Sequence, residues 1–268
     1  DPRTEISIVG YACRLPGASD PSAFWSLLAE GRCAVGRISA DRFGTDRFLH
    51  PNKSVAGKTY TFSAGVIDDP FGFDPGFFGI TPREALQMDP QQRVLLQVTY
   101  EAIEHAGIKP SSLAGQKVGV FIGASSFDYM NRFVTDPAVI DVQMMTGNTL
   151  SIISNRLSYI FDLRGPSFTV DTACSSSLVA MHEAAEAIRA GRIDTAIVGG
   201  VNLLLAPTPF VGCARASMLS PNGLCRAFDA AGDGYVRPEG AVALVLKAER
   251  KARADGDFGH ATVLGTGT

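Results

Sequence analysis

The stretch Lys117-Val118-Gly119-Val120-Phe121-Ile122-Gly123 constrains the fold more than any other. It is almost continuously apolar and ends on glycine, the mark of a central strand covered on both faces. Asp194-Thr195-Ala196-Ile197-Val198-Gly199-Gly200-Val201 repeats the pattern. Around these two strands the sequence takes on helical signals. Asp89-Pro90-Gln91-Gln92 caps a predicted helix through His105, with Leu95, Leu96, Val98 and Ile103 on its buried side. Pro21 near a first turn opens another that includes Phe24-Trp25 and reaches Glu30, and a third runs from about residue 148 to 161. Residues 6–10 read as a strand that stops at Gly10 and feeds a loop at Arg14-Leu15-Pro16-Gly17, and residues 241–246 and 261–264 as two closing strands. Strands alternating with helices imply an α/β fold.

The remaining segments are less regular. Residues 40–80 are rich in Asp, Gly, Pro and Phe, and Phe71, Phe73, Phe77 and Phe78 are expected to pin them to the core. Residues 126–146 show little pattern, and 207–234 read as loop. With no linker and no repeat, one domain without an internal boundary is expected over residues 1–268. At 46% hydrophobic and 19% charged residues, the chain can build a large core without metals or disulfides. A net charge of −3 without long Lys/Arg runs argues against nucleic acid. The longest apolar stretches, such as 196–206, are broken by glycine and too short to span a bilayer. The start at Asp1-Pro2-Arg3 has no signal-like pattern. Five widely spaced cysteines without a C-x-x-C pair fit reduced cytoplasmic thiols, not a disulfide framework or a zinc site.

Chemistry concentrates at Asp171-Thr172-Ala173-Cys174-Ser175-Ser176-Ser177-Leu178. A turn at Gly165-Pro166 and a short β-branched and aromatic strand precede it. Apolar residues at 178, 181, 185 and 188 follow, one face of a helix. Cys174 therefore falls where a strand becomes a helix, and the free N–H groups and positive dipole end of a helix favour negative charge there. Small neighbours leave room for a tight turn and an approaching substrate. The same residue type is also common as a buried core cysteine, so the local pattern alone leaves both readings open.

Several separated segments together resemble the β-ketoacyl synthase (ketosynthase) domains of type I polyketide synthases and animal-type fatty acid synthases. They are Ile8-Val9-Gly10 with Arg14-Leu15-Pro16-Gly17, Met88-Asp89-Pro90-Gln91-Gln92-Arg93, Gly119-Val120-Phe121-Ile122-Gly123, Asn155-Arg156-Leu157-Ser158, the Cys174 stretch, Gly199-Gly200-Val201-Asn202, Met218-Leu219-Ser220-Pro221, and Phe228-Asp229-Ala230-Ala231-Gly232-Asp233-Gly234-Tyr235. The resemblance implies a thiolase-like fold, layered α-β-α-β-α in the full domain, of which this chain corresponds to the N-terminal half. It implies that Cys174 takes an acyl chain from the phosphopantetheine arm of an acyl carrier protein. A malonyl-type extender then loses carbon dioxide and its carbanion attacks the thioester. No cofactor is expected to bind directly. The expected partners are the carrier protein, acyl and malonyl-type thioesters, other domains of a multidomain synthase, and a second copy in a homodimer through Phe168, Val170, Met144 and Met145, with the loop around 130–145 reaching the partner's acyl pocket.

The family's decarboxylation relies on two histidines, one before a Gly-Thr-Gly-Thr segment and one ending an Asn-Ile-Gly-His segment. His50, His105, His182 and His260 have neither context. His182 lies eight residues past Cys174, about 12 Å along the helix. Gly265-Thr266-Gly267-Thr268 follows Leu264 instead of histidine and reads as coincidence at a strand end. Cys13, Cys33, Cys213 and Cys225 are expected to be packing residues. Pro238 stands where many relatives carry a smaller residue. Asp171, Asp229, Asp233 and Glu239 are expected to pair with Arg156, Arg226 and Arg237. Two other functions stay open at this point: a cysteine hydrolase or acyltransferase with an unidentified base, and a non-catalytic fragment that self-associates or docks carrier protein.

Overall fold

The computed structural model of the protein describes residues 5–40, 42–133, 138 and 140–268. The start at Asp1-Pro2-Arg3, and residues 134–137 and 139 of the loop expected to reach a partner, lie outside the described residues. In chain order the elements are β1 (Ile6–Arg14), α1 (Pro21–Ala29), β2 (Val35–Arg37), β3 (Ser63–Gly65), α2 (Pro82–Gln87), α3 (Pro90–His105), β4 (Val118–Gly123), α4 (Val142–Asn148), α5 (Leu150–Ile160), β5 (Ser167–Val170), α6 (Ser176–Arg189), β6 (Thr195–Asn202), α7 (Thr208–Arg215), β7 (Arg237–Pro238), β8 (Gly240–Ala248), α8 (Glu249–Asp255) and β9 (Ala261–Val263). They fall into two compact units. One takes the chain up to residue 14 with 69–202 and 241–268, the other 15–68 and 203–240. Neither is contiguous, which is why no linker composition marks a boundary.

The first unit is built on a six-stranded sheet in the order β5-β4-β6-β8-β1-β9. β4 pairs in parallel with β5 and β6, while β1 is antiparallel to β8 and β9. All six residues of β4 are buried, as its unbroken apolar run requires. From β4 the chain crosses to β5 at the sheet edge, then returns past β4 to β6. Right-handed crossovers in opposite directions put α5 and α6 on opposite faces. Adjacent glycines of β6 agree with this. A Cβ on Gly199 would meet Leu95 of α3 at 3.3 Å, and one on Gly200 would meet Ser177 of α6 at 2.8 Å. α3 packs with α5 on its side.

β1 does not stop at Gly10 as the sequence suggests; it bulges between Ile8 and Gly10 and continues to Arg14. The glycine is a packing site, since a Cβ there would lie 2.3 Å from the Ala102 carbonyl of α3. Four short helices also escape the sequence reading, among them α2, which falls just before the predicted cap at Asp89. α4 lies in the stretch read as patternless and α7 in the stretch read as loop. α8 buries only Ala252 and is held by the i,i+4 pairs Glu249–Arg253 (2.6 Å) and Lys251–Asp255 (2.7 Å). Phe73 and Phe78 stack at 5.3 Å and Phe77 meets Tyr100 at 4.9 Å, yet Phe77 remains exposed, so this aromatic group is only a partial anchor. Among the described residues no helix is long and apolar enough to cross a membrane.

The second unit has a small sheet in which β3 pairs antiparallel with β2 and parallel with β7. Phe62, Leu204, Phe210 and Leu219 form its core. Glu239 is sealed within it and accepts from the N–H groups of Ile67 (2.9 Å) and Leu204 (2.9 Å) and from Arg42 (3.1 Å). The sequence suggests Arg156, Arg226 or Arg237 as the partner of Glu239; its ion pair is with Arg42. Burial pushes the Glu239 carboxyl above its usual range, against the pull of these donors.

Polar groups at the start of α3 tie the first unit's helices together. Gln92 donates to the Gly147 carbonyl at 2.8 Å and accepts from Arg156 at 2.6 Å, and Arg156 also meets Glu84 at 2.6 Å. Asp89 caps α3 through the Gln91 N–H at 2.8 Å. Burial dominates its titration and pushes it from 3.8 up to about 6. The folded state therefore favours the protonated acid. That contribution is full below about pH 4, is lost as pH rises through 6, and is absent above, a swing of about 3 kcal/mol. Asp89→Asn keeps a good cap but has no such titration. Urea denaturation across pH 3.5–7.5 is expected to show the variant gaining stability relative to the parent between pH 4 and 6, then a plateau. A pH-independent difference would show that Asp89 is not desolvated.

Candidate active site

The Cys174 stretch is a connection between β5 and α6 that is held by its own side chains. Residues 173–175 form a single 3₁₀ turn before α6 begins at Ser176, two residues earlier than the apolar pattern indicates. Ala173 has φ 55°, left-handed for a residue with a Cβ, which costs about 1–2 kcal/mol. Strained backbone of this kind persists only where its surroundings over-determine it. Here they do. Asp171 accepts from the Ala173 N–H at 2.9 Å, and the Ser176 hydroxyl donates to the Ala173 carbonyl at 2.7 Å. The same hydroxyl oxygen accepts from the Thr172 N–H at 2.9 Å, while Ser175 donates to the Thr172 carbonyl at 2.9 Å. Ser176 is buried and Cys174 is exposed. Among the described residues the Cys174 N–H has no hydrogen-bond acceptor. The turn thus presents a thiol and an unused donor together at the N-terminal end of a 14-residue helix.

The helix reaches this position because nothing stands between it and the sheet. A Cβ on Gly123, the last residue of β4, would lie 2.3 Å from the Ser177 nitrogen. The buried face of α6 is a run of small residues, Ala180, Ala184, Ala185 and Ala187, with Ile188. This corrects the sequence reading, which sets Leu178 on that face; Leu178 is 71% exposed. Alanines against glycine-bearing strands set a short helix–sheet distance, and hydrophobic size misjudges which side faces in. β5 is fastened to α5 in turn, by Thr169 to Ser154 (3.1 Å) and by Ser158 to Ser167 (2.8 Å).

The histidines lie elsewhere, as their contexts indicate. His182 is 2.9 Å from the Thr266 hydroxyl, so the terminal Gly-Thr-Gly-Thr lies against α6. His105 stacks on His260 with ring centroids 4.7 Å apart and meets Tyr11 at 4.3 Å with the rings tilted. Burial, reinforced by His260, holds His105 below the usual imidazole range. His50 accepts from the Asn52 N–H at 3.1 Å. The other cysteines are not uniformly packing residues. Cys13 is buried, but Cys33 and Cys225 are exposed, and Cys213 shares a 3.3 Å contact with Tyr235 and another with Arg237. Arg156 meets Glu84, and Arg226 donates to the Ala231 carbonyl at 3.2 Å. Asp233 is held below the usual carboxylate range first by hydrogen bonds from Ser220 and Asn222, to which the Arg226 charge only adds, so of the expected pairings only this last is approached. Met144 is buried, leaving Phe168, Val170 and Met145 among the candidate interface residues with exposed surface. Sequence reasoning missed the clamp by Ser176 and the seat at Gly123. The available signals were the polar residues flanking Ala173 and the glycines ending both buried strands.

Gly123→Ala is expected to destabilise the chain by about 1–3 kcal/mol or more, because backbone atoms must move. Gly212 lies in α7, where an added Cβ would meet nothing within 4 Å, and Gly212→Ala is expected to stabilise by up to about 1 kcal/mol. Chemical denaturation of the two variants checks both signs, and a neutral Gly123→Ala would show that α6 does not rest on the strand.

Residues 3–252 match the family model described as the N-terminal domain of β-ketoacyl synthase. A phenolphthiocerol/phthiocerol polyketide synthase from Mycobacterium tuberculosis is 46% identical over 97% of this chain, which covers 17% of that protein. The partially reducing polyketide synthase men1 of Menisporopsis theobromae is 44% identical over 98% of this chain, 10% of its own length. Among solved structures, the module 6 ketosynthase of the bacillaene synthase from Bacillus subtilis 168 superposes with TM-score 0.89 at 41% identity, covering 98% of this chain and 44% of that one. The oxazolomycin ketosynthase domain OzmH KS7 of Streptomyces albus JA3453 gives 0.91 at 40%, covering 97% and 45%. The chain spans about a sixth or less of these curated relatives and under half of the solved domains, and its fold is thiolase-like, as theirs is. By sequence and by fold it belongs to the β-ketoacyl synthase family, among the ketosynthases of polyketide synthases.

Proposed function

We propose that Cys174 is the acyl-accepting nucleophile of a polyketide ketosynthase. The observation that carries this reading is the exposed sulfur on a strained, internally clamped turn, next to an N–H with no acceptor of its own. The Cys174 sulfur, as thiolate, attacks the thioester carbonyl on the phosphopantetheine arm of an acyl carrier protein. The Cys174 N–H donates to the oxyanion that forms, and the carrier thiol leaves with the electron pair and a proton. In the second half-reaction a malonyl-type thioester loses carbon dioxide, its carbanion forms a carbon–carbon bond to the acyl carbonyl, and the Cys174 sulfur departs. One cysteine serves both steps because a thiolate is a good nucleophile and a fair leaving group.

The groups that polarise the extender for decarboxylation are not among these 268 residues. Each histidine is engaged elsewhere, and the resemblance assigns that work to two histidine motifs this sequence does not contain. The family match disfavours a cysteine hydrolase. The reading includes a homodimer through the open edge of β5, where Phe168 is 36% exposed, and a reducing, cytoplasmic setting for five unbridged thiols.

Incubation with an acyl thioester followed by peptide mass spectrometry is expected to find the acyl group on Cys174. With labelled malonyl thioester added, ketoacyl product is expected at least 10²-fold below an intact synthase, since each missing polarising group typically costs about that factor. Acylation mainly at Cys33 or Cys225, the other exposed thiols, would overturn the assignment.

A further inference from the structure

The cations of this chain are almost all spoken for. Among the described residues every lysine and arginine except Lys109, Lys117 and Arg192 has a hydrogen bond, an ion pair or an aromatic ring as partner. Two of these three, Lys117 and Arg192, line one cleft of about 250 Å³. Gln116, Asp194, Thr195 and Lys251 complete most of its wall. Lys117 stands just before β4, Arg192 in the turn from α6 to β6, and Lys251 on α8. Three separate segments therefore converge at the N-terminal ends of β4 and β6. Cys174 lies beyond the opposite, C-terminal end of the parallel strands, about 20 Å away along a six-residue strand.

The charge balance of the cleft is simple. Asp194 is engaged by Arg250. Lys251 pairs with Asp255 at 2.7 Å, and Lys247 pairs with Asp255 at 2.8 Å and Asp257 at 2.5 Å, so those two cations and two carboxylates cancel. What remains is one planar guanidinium and one ammonium, both exposed and unpaired. Two uncompensated positive charges match a dianion. A phosphate monoester carries about −1.5 to −2 at pH 7 and offers three acceptor oxygens, which suit the fork of an arginine together with the point charge of a lysine.

We propose that this cleft is a phosphate-binding site, remote from Cys174, in which Arg192 and Lys117 hold a phosphate monoester. A carboxylate-rich peptide is the weaker fit, because each side chain brings a single charge. The ligand's phosphate is common to small metabolites and to phosphorylated side chains, and the test separates them.

The isotope-labelled 268-residue chain is titrated with inorganic phosphate, glycerol 3-phosphate, a phosphoserine peptide and hexaglutamate while amide shifts are followed. Saturable shifts at Lys117, Arg192 and Thr195 with the phosphate ligands are expected, several-fold weaker at 200 mM than at 50 mM salt. Lys117→Gln combined with Arg192→Gln is expected to weaken binding at least tenfold, with unchanged thermal melting and unchanged Cys174 alkylation. Preference between glycerol 3-phosphate and the phosphoserine peptide names the source. The single variants carry the same comparison if the double variant does not fold. Binding of hexaglutamate as tight as phosphate, phosphate shifts elsewhere on the surface, or affinity indifferent to the substitutions would each overturn the proposal.

Discussion

The first unit depends on a contact that contains almost no side chain: the N-terminal end of α6 resting on the backbone of β4 and β6 at Gly123 and Gly200. Everything about Cys174 follows from that seat. With the helix start fixed against the strand ends, the residues between β5 and α6 have little length in which to turn, and Ala173 takes up the strain at φ 55°. Asp171 and Ser176 then hold the strained residue from both its N–H and its carbonyl. The geometry is stable because each hydrogen bond satisfies a group that the turn would otherwise leave without a partner. An exposed thiol on a rigid turn is the chemical product of close packing beneath it.

Support for the turn extends outward through polar contacts, not through larger apolar side chains. β5 is an edge strand of four residues, too short to hold its own register firmly. Thr169 and Ser167 fasten it to α5, and Arg156 on α5 is tied to Gln92 and Glu84. Buried polar networks of this kind specify one arrangement when fully satisfied and are costly when broken. The second unit uses the same device in another form, with the sealed Glu239 carboxylate joining Ile67, Leu204 and Arg42. Removing one partner of such a buried pair typically costs about 3–5 kcal/mol.

Much of this was legible in the sequence because apolar runs and capping residues report directly on burial and on chain ends. β4, β6 and α3 were placed within a residue or so for that reason, and Cys174 was placed at the junction of strand and helix. What escaped depends on shape or on pairing across the chain. Gly10 read as a stop, yet its role is to admit α3. Leu178 was grouped with 181, 185 and 188 on one apolar helix face, yet it is exposed and the alanines pack. α8 was invisible to an apolar pattern, since it buries only Ala252 and pairs its charges locally, Glu249 with Arg253 and Lys251 with Asp255. The partner of Glu239 lies 197 residues away, beyond anything local spacing can report. Ser176 was legible only as a small residue, and its hydroxyl turns out to bridge Thr172 and Ala173.

On the role proposed for Cys174, the clamp on Ala173, and not the thiol alone, sets its reactivity. Ser176→Ala removes the hydroxyl that bridges Thr172 and Ala173 while leaving Cys174, the residues on either side of it and α6 beyond its first residue unchanged. The decisive measurement is the second-order rate constant for acylation of Cys174 by an acyl thioester, compared between parent and variant with far-UV circular dichroism held as the check on folding. A fall of tenfold or more with the fold retained is the expected result. A rate within twofold of the parent would contradict the account.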